Sequence, residues 1–313
     1  MDGKPYIVGI GGANVDLCGR PRNAIRMQDS NPGRVRISAG GVTRNVCENL
    51  ARLGADVRLI TALGDDANAD FLRHSCETAG IDLSAAYVLR DQPSSIYMSI
   101  LDDAGDMLVA VSDMSALQKM PISHLWDNAA LLRNAAFVLC DPGVPEAVLT
   151  AILDICEGFV PVLADPVSTT YTRKLAPHVG RLDTVKPNRL ELEILSGHAA
   201  SDGTGLQRAC EAVLKKGTKR VLVSLGSEGC YYMDASGVCI QKKLRPVAQM
   251  ANATGGGDAF FAAYVYARLL GLPLERQLDY ALAAGHLTVS CEETVDPAIS
   301  VPYLKTIIKE NTL

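Results

Sequence analysis

Short apolar runs with strand character alternate with helical segments along most of the chain, and that alternation leaves few folds open. Tyr6-Ile7-Val8-Gly9-Ile10-Gly11-Gly12 reads as a buried strand ending in glycines. Val42, Val46, Leu50 and Leu53 form the apolar stripe of a helix that Gly54 closes. Residues 57–63 are a second strand, and the helix from Asp66 to Ala79 stops at Gly80. The same order returns later. Strands are expected at 136–141, 160–165, 183–186 and 220–225, helices at 146–156 and from Arg189, and a hairpin-like pair after the strand at 220. Parallel strands need long crossovers, which helices supply, so the expected class is α/β with a mostly parallel central sheet and helices on both faces.

Between about 87 and 112 the pattern changes. Residues 95–101 and 107–111 flank the polar stretch Asp102-Asp103-Ala104-Gly105-Asp106, as in a β-hairpin. Together with the strand-like residues 34–38, this predicts a small sheet inserted into the α/β order and able to cover a cleft. At 313 residues the chain suits one large α/β domain, with no linker long enough to divide it.

Composition narrows the function classes. The net charge is −5, and no block of Lys and Arg offers a basic face to a nucleic acid polymer or an anionic membrane. No apolar stretch reaches spanning length, and the N-terminus lacks a signal-peptide pattern. The nine cysteines are scattered and form no C-x-x-C pair, as expected of free thiols in the cytoplasm. The five histidines show no metal-binding spacing.

Chemistry concentrates at Thr254-Gly255-Gly256-Gly257-Asp258, which opens a long apolar helical run. Glycines there expose backbone N–H groups at a helix N-terminus, an arrangement that binds phosphate. A carboxylate repels phosphate but accepts the proton of a hydroxyl attacking it. Such a carboxylate, with an ordinary pKa of about 3.9, takes the proton late. An acidic cap on a glycine-led helix is the other reading.

Near the first strand, Gly9-Ile10-Gly11-Gly12-Ala13-Asn14 lacks the third glycine of a dinucleotide fingerprint. Asn14 and Asp16 instead place polar groups just past a strand's C-terminal end, where such sheets bind ligands; an ordinary Asx turn is the alternative. Gly40-Gly41 begins a helix on which Asn45 lies one turn beyond Gly41. Asn188 and Glu191, three apart, are suited either to the water shell of Mg²⁺ or to a capping box. Ser224, Gly226 and Gly229 follow a strand and fit either nucleotide contact or a tight turn. Lys186 is expected at the surface.

In this order, Asn14-Val15-Asp16, Gly40-Gly41 with Asn45, Asn188-x-x-Glu191, Ser224-x-Gly226-x-x-Gly229 and Thr254-Gly255-Gly256-Gly257-Asp258 resemble the ribokinase, or PfkB, family of carbohydrate kinases. The likeness spans nearly the whole chain. It implies one ribokinase-like three-layer α/β/α domain over 1–313, with lid strands from about 14–39 and 87–112. It implies ATP as donor and Mg²⁺ as cofactor. Asp258 is then the catalytic base, and the amides of Gly255, Gly256 and Gly257 the anion hole. Asp16 and Asn45 become ribose holders, with Asn14 and Gly41 adjacent. Asn188, Ser224, Gly226, Gly229 and Thr254 fall on the ATP side, with Glu191 reaching Mg²⁺ through water.

Within the family, Asp29-Ser30-Asn31-Pro32-Gly33, Gly41-Val42-Thr43-Arg44-Asn45 and Ser94-Ser95-Ile96-Tyr97 resemble members acting on a C-linked nucleoside. The implied acceptor is the 5′-hydroxyl of pseudouridine, with Ser30, Thr43, Tyr97 and Asp113 on the acceptor side. Other family activities toward ribose, fructose or adenosine, and a non-catalytic nucleoside-binding role, stay open. The resemblance also implies a homodimer through the lid. Two departures stand out. Asn252 replaces an aspartate that in many relatives helps hold a monovalent cation, which weakens the case for K⁺. Gly256 stands where alanine is common, at an ordering cost of about 1 kcal/mol.

Overall fold

A computed structural model describes residues 4–103, 105–244 and 254–311. In chain order its strands are β1 (Tyr6–Ile10), β2 (Asn14–Pro21), β3 (Gly33–Gly40), β4 (Asp56–Ile60), β5 (Ala62–Leu63), β6 (Ile81–Asp82), β7 (Tyr87–Val88), β8 (Ile96–Leu101), β9 (Met107–Asp113), β10 (Phe137–Cys140), β11 (Val162–Ala164), β12 (Thr184–Val185), β13 (Arg220–Ser224), β14 (Cys230–Asp234) and β15 (Cys239–Lys242). The larger sheet runs β15-β14-β13-β12-β11-β10-β1-β4-β6. It is parallel from β6 through β13 and antiparallel at β14 and β15.

Alternate residues of β1 feed two cores. Val8 and Ile10 join Val148, Ile152, Leu192 and Leu206 on one face. Ile7 joins Leu50, Leu72, Phe261 and Tyr264 on the other. Each fully buried aliphatic side chain contributes roughly 1.5–3 kcal/mol of transfer free energy, so a two-sided sheet of this kind is well stabilised. Helices Glu146–Cys156, Arg189–Ser196 and Gly203–Leu214 cover the first face. Helices Val42–Arg52, Ala67–Ala79, Gly256–Leu269 and Leu274–Val289 cover the second. Among the described residues, no helix is long and apolar enough to cross a membrane.

The smaller sheet, β3-β2-β8-β9, contains the strands expected to form a lid. Its later half is formed by β8 and β9, and residues 87–88 lie outside it. The strand expected at 57–63 breaks at Thr61. Beyond the break, Ala62–Leu63 pairs in parallel with Tyr87–Val88, where Tyr87 N donates to Thr61 O at 2.8 Å and Leu89 N to Leu63 O at 2.8 Å. The hairpin turn behaves as its composition predicts, with Asp102 Oδ1 accepting from Asp106 N at 2.9 Å.

Pairing assigns the lid's two faces. Ile37 lies opposite Leu17, which neighbours Met98, which lies opposite Val111. These residues therefore share one face. Ser38, Asp16, Tyr97 and Ser112 share the other. The first face is apolar and exposed along its outer half, with Val35 at 72% and Val111 at 65% exposure. The second holds Asp16 and Tyr97, whereas Asp113, two residues on from Val111, falls on the first face and not beside them as expected.

Candidate active site

Three charged residues stand one position beyond the C-terminal ends of adjacent parallel strands: Asp141 after β10, Asp165 after β11 and Lys186 after β12. Ligands bind at this edge of an α/β sheet. Asp141 Oδ2 accepts from Thr43 Oγ1 at 2.6 Å and Gly12 N at 2.9 Å, while its Oδ1 accepts from Gly143 N at 2.7 Å. Burial nevertheless pushes the Asp141 carboxyl above its ordinary range. Gly11 leaves room for this carboxylate, since a Cβ there would stand 2.7 Å from Asp141 Cγ.

Lys186 is not at the surface. It is 6% exposed, and its Nζ pairs with Asp165 Oδ2 at 2.7 Å. Burial works against its charge, but Asp165, aided by Asp258 and Glu191, outweighs that and holds the ammonium above the usual lysine range. A Cβ on Gly257 would stand 3.2 Å from Nζ, so the cation lies directly against the glycine run. Next to Asp165, Val167 is held at φ 69°, a conformation disfavoured for a β-branched residue. Its N–H donates to Asp165 Oδ1 at 2.9 Å, which ties the strained turn to the ion pair.

Gly255 caps the helix Gly256–Leu269 at φ 83°, which glycine adopts without steric cost. The first helical bond of this turn runs from Ala259 N to Gly255 O at 3.0 Å. The amides before it have no intrahelical acceptor, as at any helix start. Asp258 lies in this first turn, and its Oδ2 accepts from Asn45 Nδ2 at 2.9 Å. Its pKa is pushed up to about 7, first by burial and then by the charge of Asp165, against the opposing effects of Asn45 and Lys186. The ordinary carboxylate value expected from sequence is thereby corrected. A lone aspartate reveals neither its desolvation nor its acidic neighbour. Asn252 lies outside the described residues.

On the lid side, Asn14 Nδ2 donates to Asp16 Oδ1 at 2.5 Å. Burial raises the Asp16 carboxyl despite that bond and the nearby guanidinium groups of Arg44 and Arg36. Gly40 lies against Asp16, and Gly41, at φ 100°, packs on the Gly12–Ala13 backbone. Tyr97 neighbours Asp16 across the β2–β8 ladder and is half-buried. Ser30 is exposed in the loop between β2 and β3, and Asp113 is exposed at the end of β9. Thr43 is buried with its hydroxyl committed to Asp141.

Asn188 and Glu191 form a reciprocal capping box. Asn188 Oδ1 accepts from Glu191 N at 2.9 Å, and Glu191 Oε2 accepts from Asn188 N at 2.8 Å. Asn188 is exposed, whereas Glu191 is buried and its pKa raised, first by that burial and then by Asp165. Asn188 bridges in parallel to Ser224, whose N–H donates to Pro187 O at 3.0 Å, so the two ATP-side residues adjoin. Gly226 (φ 58°) and Gly229 (φ 91°) shape the turn that follows, and Thr254 is exposed just ahead of the glycine run. Among the described residues, no group of three or more His, Cys, Asp or Glu side chains forms a metal cage. Asn188 and Glu191 each spend a side-chain oxygen on their reciprocal cap, which leaves Mg²⁺ to be met through water.

The family model for pfkB carbohydrate kinases matches residues 4–300. Pseudouridine kinase of Escherichia coli (strain K12) is 32% identical over 310 residues, covering 99% of this chain and 98% of that protein. Ribokinase of Arabidopsis thaliana is 25% identical over 311 residues, covering 97% of this chain and 80% of that protein. The solved structure of Arabidopsis thaliana ribokinase complexed with ribose and ATP superposes with a TM-score of 0.86 at 24% identity, covering 99% of this chain and 100% of that one. The fold is therefore ribokinase-like.

Proposed function

As the chain belongs to the pfkB family of carbohydrate kinases, we propose that it transfers the γ-phosphoryl group of ATP to the 5′-hydroxyl of pseudouridine, giving pseudouridine 5′-phosphate and ADP. It is a phosphotransferase acting on a sugar hydroxyl. The observation that supports transfer at this site is Asp258 in the first turn of a glycine-led helix, bonded to Asn45 at 2.9 Å. The likeness to pseudouridine kinase along 99% of the chain supports the choice of nucleoside.

In the transfer, a bond forms from the 5′-oxygen to the γ-phosphorus as the bond to the β-phosphate oxygen breaks. The hydroxyl proton passes to Asp258, and the electron pair leaves with ADP. A carboxylate with a pKa of about 7 is better matched to this task near neutral pH than an ordinary one. The amides of Gly255, Gly256 and Gly257, backed by Lys186, face the charge on the migrating group. Mg²⁺, when bound, neutralises charge on the β- and γ-phosphates, and Asn188 and Glu191 are the residues that would meet it through water.

Two measurements test the reading. Initial rates with MgATP against pseudouridine, uridine, adenosine and ribose should rank pseudouridine first. A site that pairs with its extra ring N–H rejects an analogue lacking that group. Preference for free ribose would defeat the nucleoside assignment, and binding without transfer would defeat the enzymatic one. The pH dependence of kcat/KM for the acceptor is a separate check. Because Asp258 must be ionised to accept a proton, the acidic limb should fall about tenfold per pH unit below roughly pH 7. A limb near pH 4 would show that Asp258 keeps an ordinary carboxylate pKa, and the absence of any acidic limb would remove it as the base.

The exposed apolar face of the lid supports a homodimer in which two lids meet. Val35, Ile37, Met98, Val109 and Val111 are all at least 45% exposed, an apolar patch of the kind that marks interaction surfaces. The double substitution Val35→Asp and Val111→Asp is expected to give a monomer by light scattering. An unchanged mass would place any interface elsewhere. The unpaired cysteines suit a cytoplasmic setting.

A further inference from the structure

Arg44 is 3% exposed, among the least accessible charges in the molecule, and nothing in the chemistry so far uses it. It lies on helix Val42–Arg52, beside Asn45. Its Nη1 donates to Asn45 Oδ1 at 3.0 Å and to Ala39 O at 3.1 Å. Its Nη2 donates to Ser75 Oγ at 2.9 Å and pairs with Glu48, which Arg52 also holds at 2.7 Å. A buried ion pair is weak evidence of a stabilising role, because desolvation of both charges offsets their attraction. An apolar side chain would fill this space at lower cost, so the guanidinium needs another reason to be there.

We propose that Arg44 is a positioning residue for phosphoryl transfer, acting through Asn45. A guanidinium has donors only and does not lose its proton. The atom of Asn45 that faces it must therefore be the amide oxygen. That fixes the amide NH₂ on the opposite side, where Nδ2 donates to Asp258 Oδ2 at 2.9 Å. One fork, itself clamped by Glu48, Ser75 and the Ala39 carbonyl, thus sets which end of Asn45 meets the base. Without Arg44 the amide can flip and present its oxygen to the Asp258 carboxylate, which repels it. Lysine carries its three donors on one nitrogen and lacks the planar fork that spans Asn45, Glu48 and Ser75.

This inference rests on transfer at Asp258, and its test separates the two. Arg44→Leu and Arg44→Lys are each made alone and combined with Asn45→Ala, and kcat and KM are measured for acceptor and MgATP, with thermal melting of every variant. Misorientation of one positioning group costs on the order of 10–100-fold in kcat/KM for the acceptor. The Leu variant should show that loss and the Lys variant a smaller one, with KM for MgATP changed less than about twofold, since the glycine run is untouched. In the Asn45→Ala background the same Arg44 changes should cost less than about threefold, because the group through which Arg44 acts is gone. Should the Leu variant not fold, the Lys cycle is read by the same criterion. Equal losses in both backgrounds, or no loss from either substitution, overturn the inference. A wild-type protein that transfers no phosphoryl group overturns both this inference and the functional assignment, whereas an active wild type with additive losses overturns this inference alone.

Discussion

Asp258→Asn is expected to lose about 10²–10⁴-fold in kcat while binding MgATP as before, and to melt at a higher temperature than wild type at pH 8. The kinetic half follows from the geometry. The substitution removes a proton acceptor, but the amides of the glycine run belong to the backbone and Lys186 keeps its partner Asp165. The stability half follows from linkage. Asp258 has a folded pKa of about 7 against an ordinary carboxylate value of 3.8. Between those values the native state retains a proton that the unfolded chain has released, so stability falls as pH rises through that window and levels off above it. Asparagine carries no such charge, and its carbonyl can still accept from Asn45 Nδ2. Discounted for partial exposure at the cleft, the gain at pH 8 is on the order of 1–3 kcal/mol and closes toward pH 4. Melting curves across pH 4–8 check the sign. A variant with near-normal kcat, or one less stable than wild type at pH 8 and equal to it at pH 4, would contradict the assignment.

That combination of signs marks a residue retained for chemistry at the expense of stability. It also shows what the sequence could and could not disclose. Strand–helix alternation and the glycine runs at 40–41 and 255–257 are local signals, and they locate the sheet, the lid hairpins and the helix that carries Asp258. The break at Thr61 is a pairing decision. The run at 57–63 reads as one strand until Tyr87 and Leu89 supply partners for its second half. The charged row Asp141, Asp165 and Lys186 was hidden for a related reason. The three residues lie far apart in the chain and become neighbours only when β10, β11 and β12 align in parallel. A usable signal was present, since each follows directly on a buried strand, and two acids beside a base at that edge form a charge cluster. Arg44 belongs to the motif at 41–45, yet its burial depends on Ser75 and Glu48 closing around it. Sequence spacing gives the Glu48 contact, one helical turn on, but not the Ser75 contact.

Lys186→Met should produce the opposite stability effect to Asp258→Asn with a similar loss of turnover. Removing one member of a buried ion pair leaves the other without compensation, at a cost of about 3–5 kcal/mol. Asp165 is that remaining member, 5% exposed and close enough to Asp258 to raise its pKa. The variant is therefore expected to melt well below wild type. Catalytically, Lys186 Nζ lies against Gly257, where charge on the migrating phosphoryl group must be met. Loss of one preorganised cation or donor at such a point costs roughly 10²–10³-fold in kcat. The acidic limb of the rate profile should also move upward, because Lys186 is one of the groups that lower the pKa of Asp258. Destabilisation alone could mimic a loss of activity, so the decisive variant is Lys186→Met combined with Asp165→Asn. It replaces both charges with neutral groups and should recover much of the lost melting temperature, since a buried pair removed whole costs far less than one broken. If activity returned with it, Lys186 would be a structural ion-pair partner. If the double variant melts near wild type and still turns over about 10²-fold more slowly, the ammonium contributes to the transfer itself.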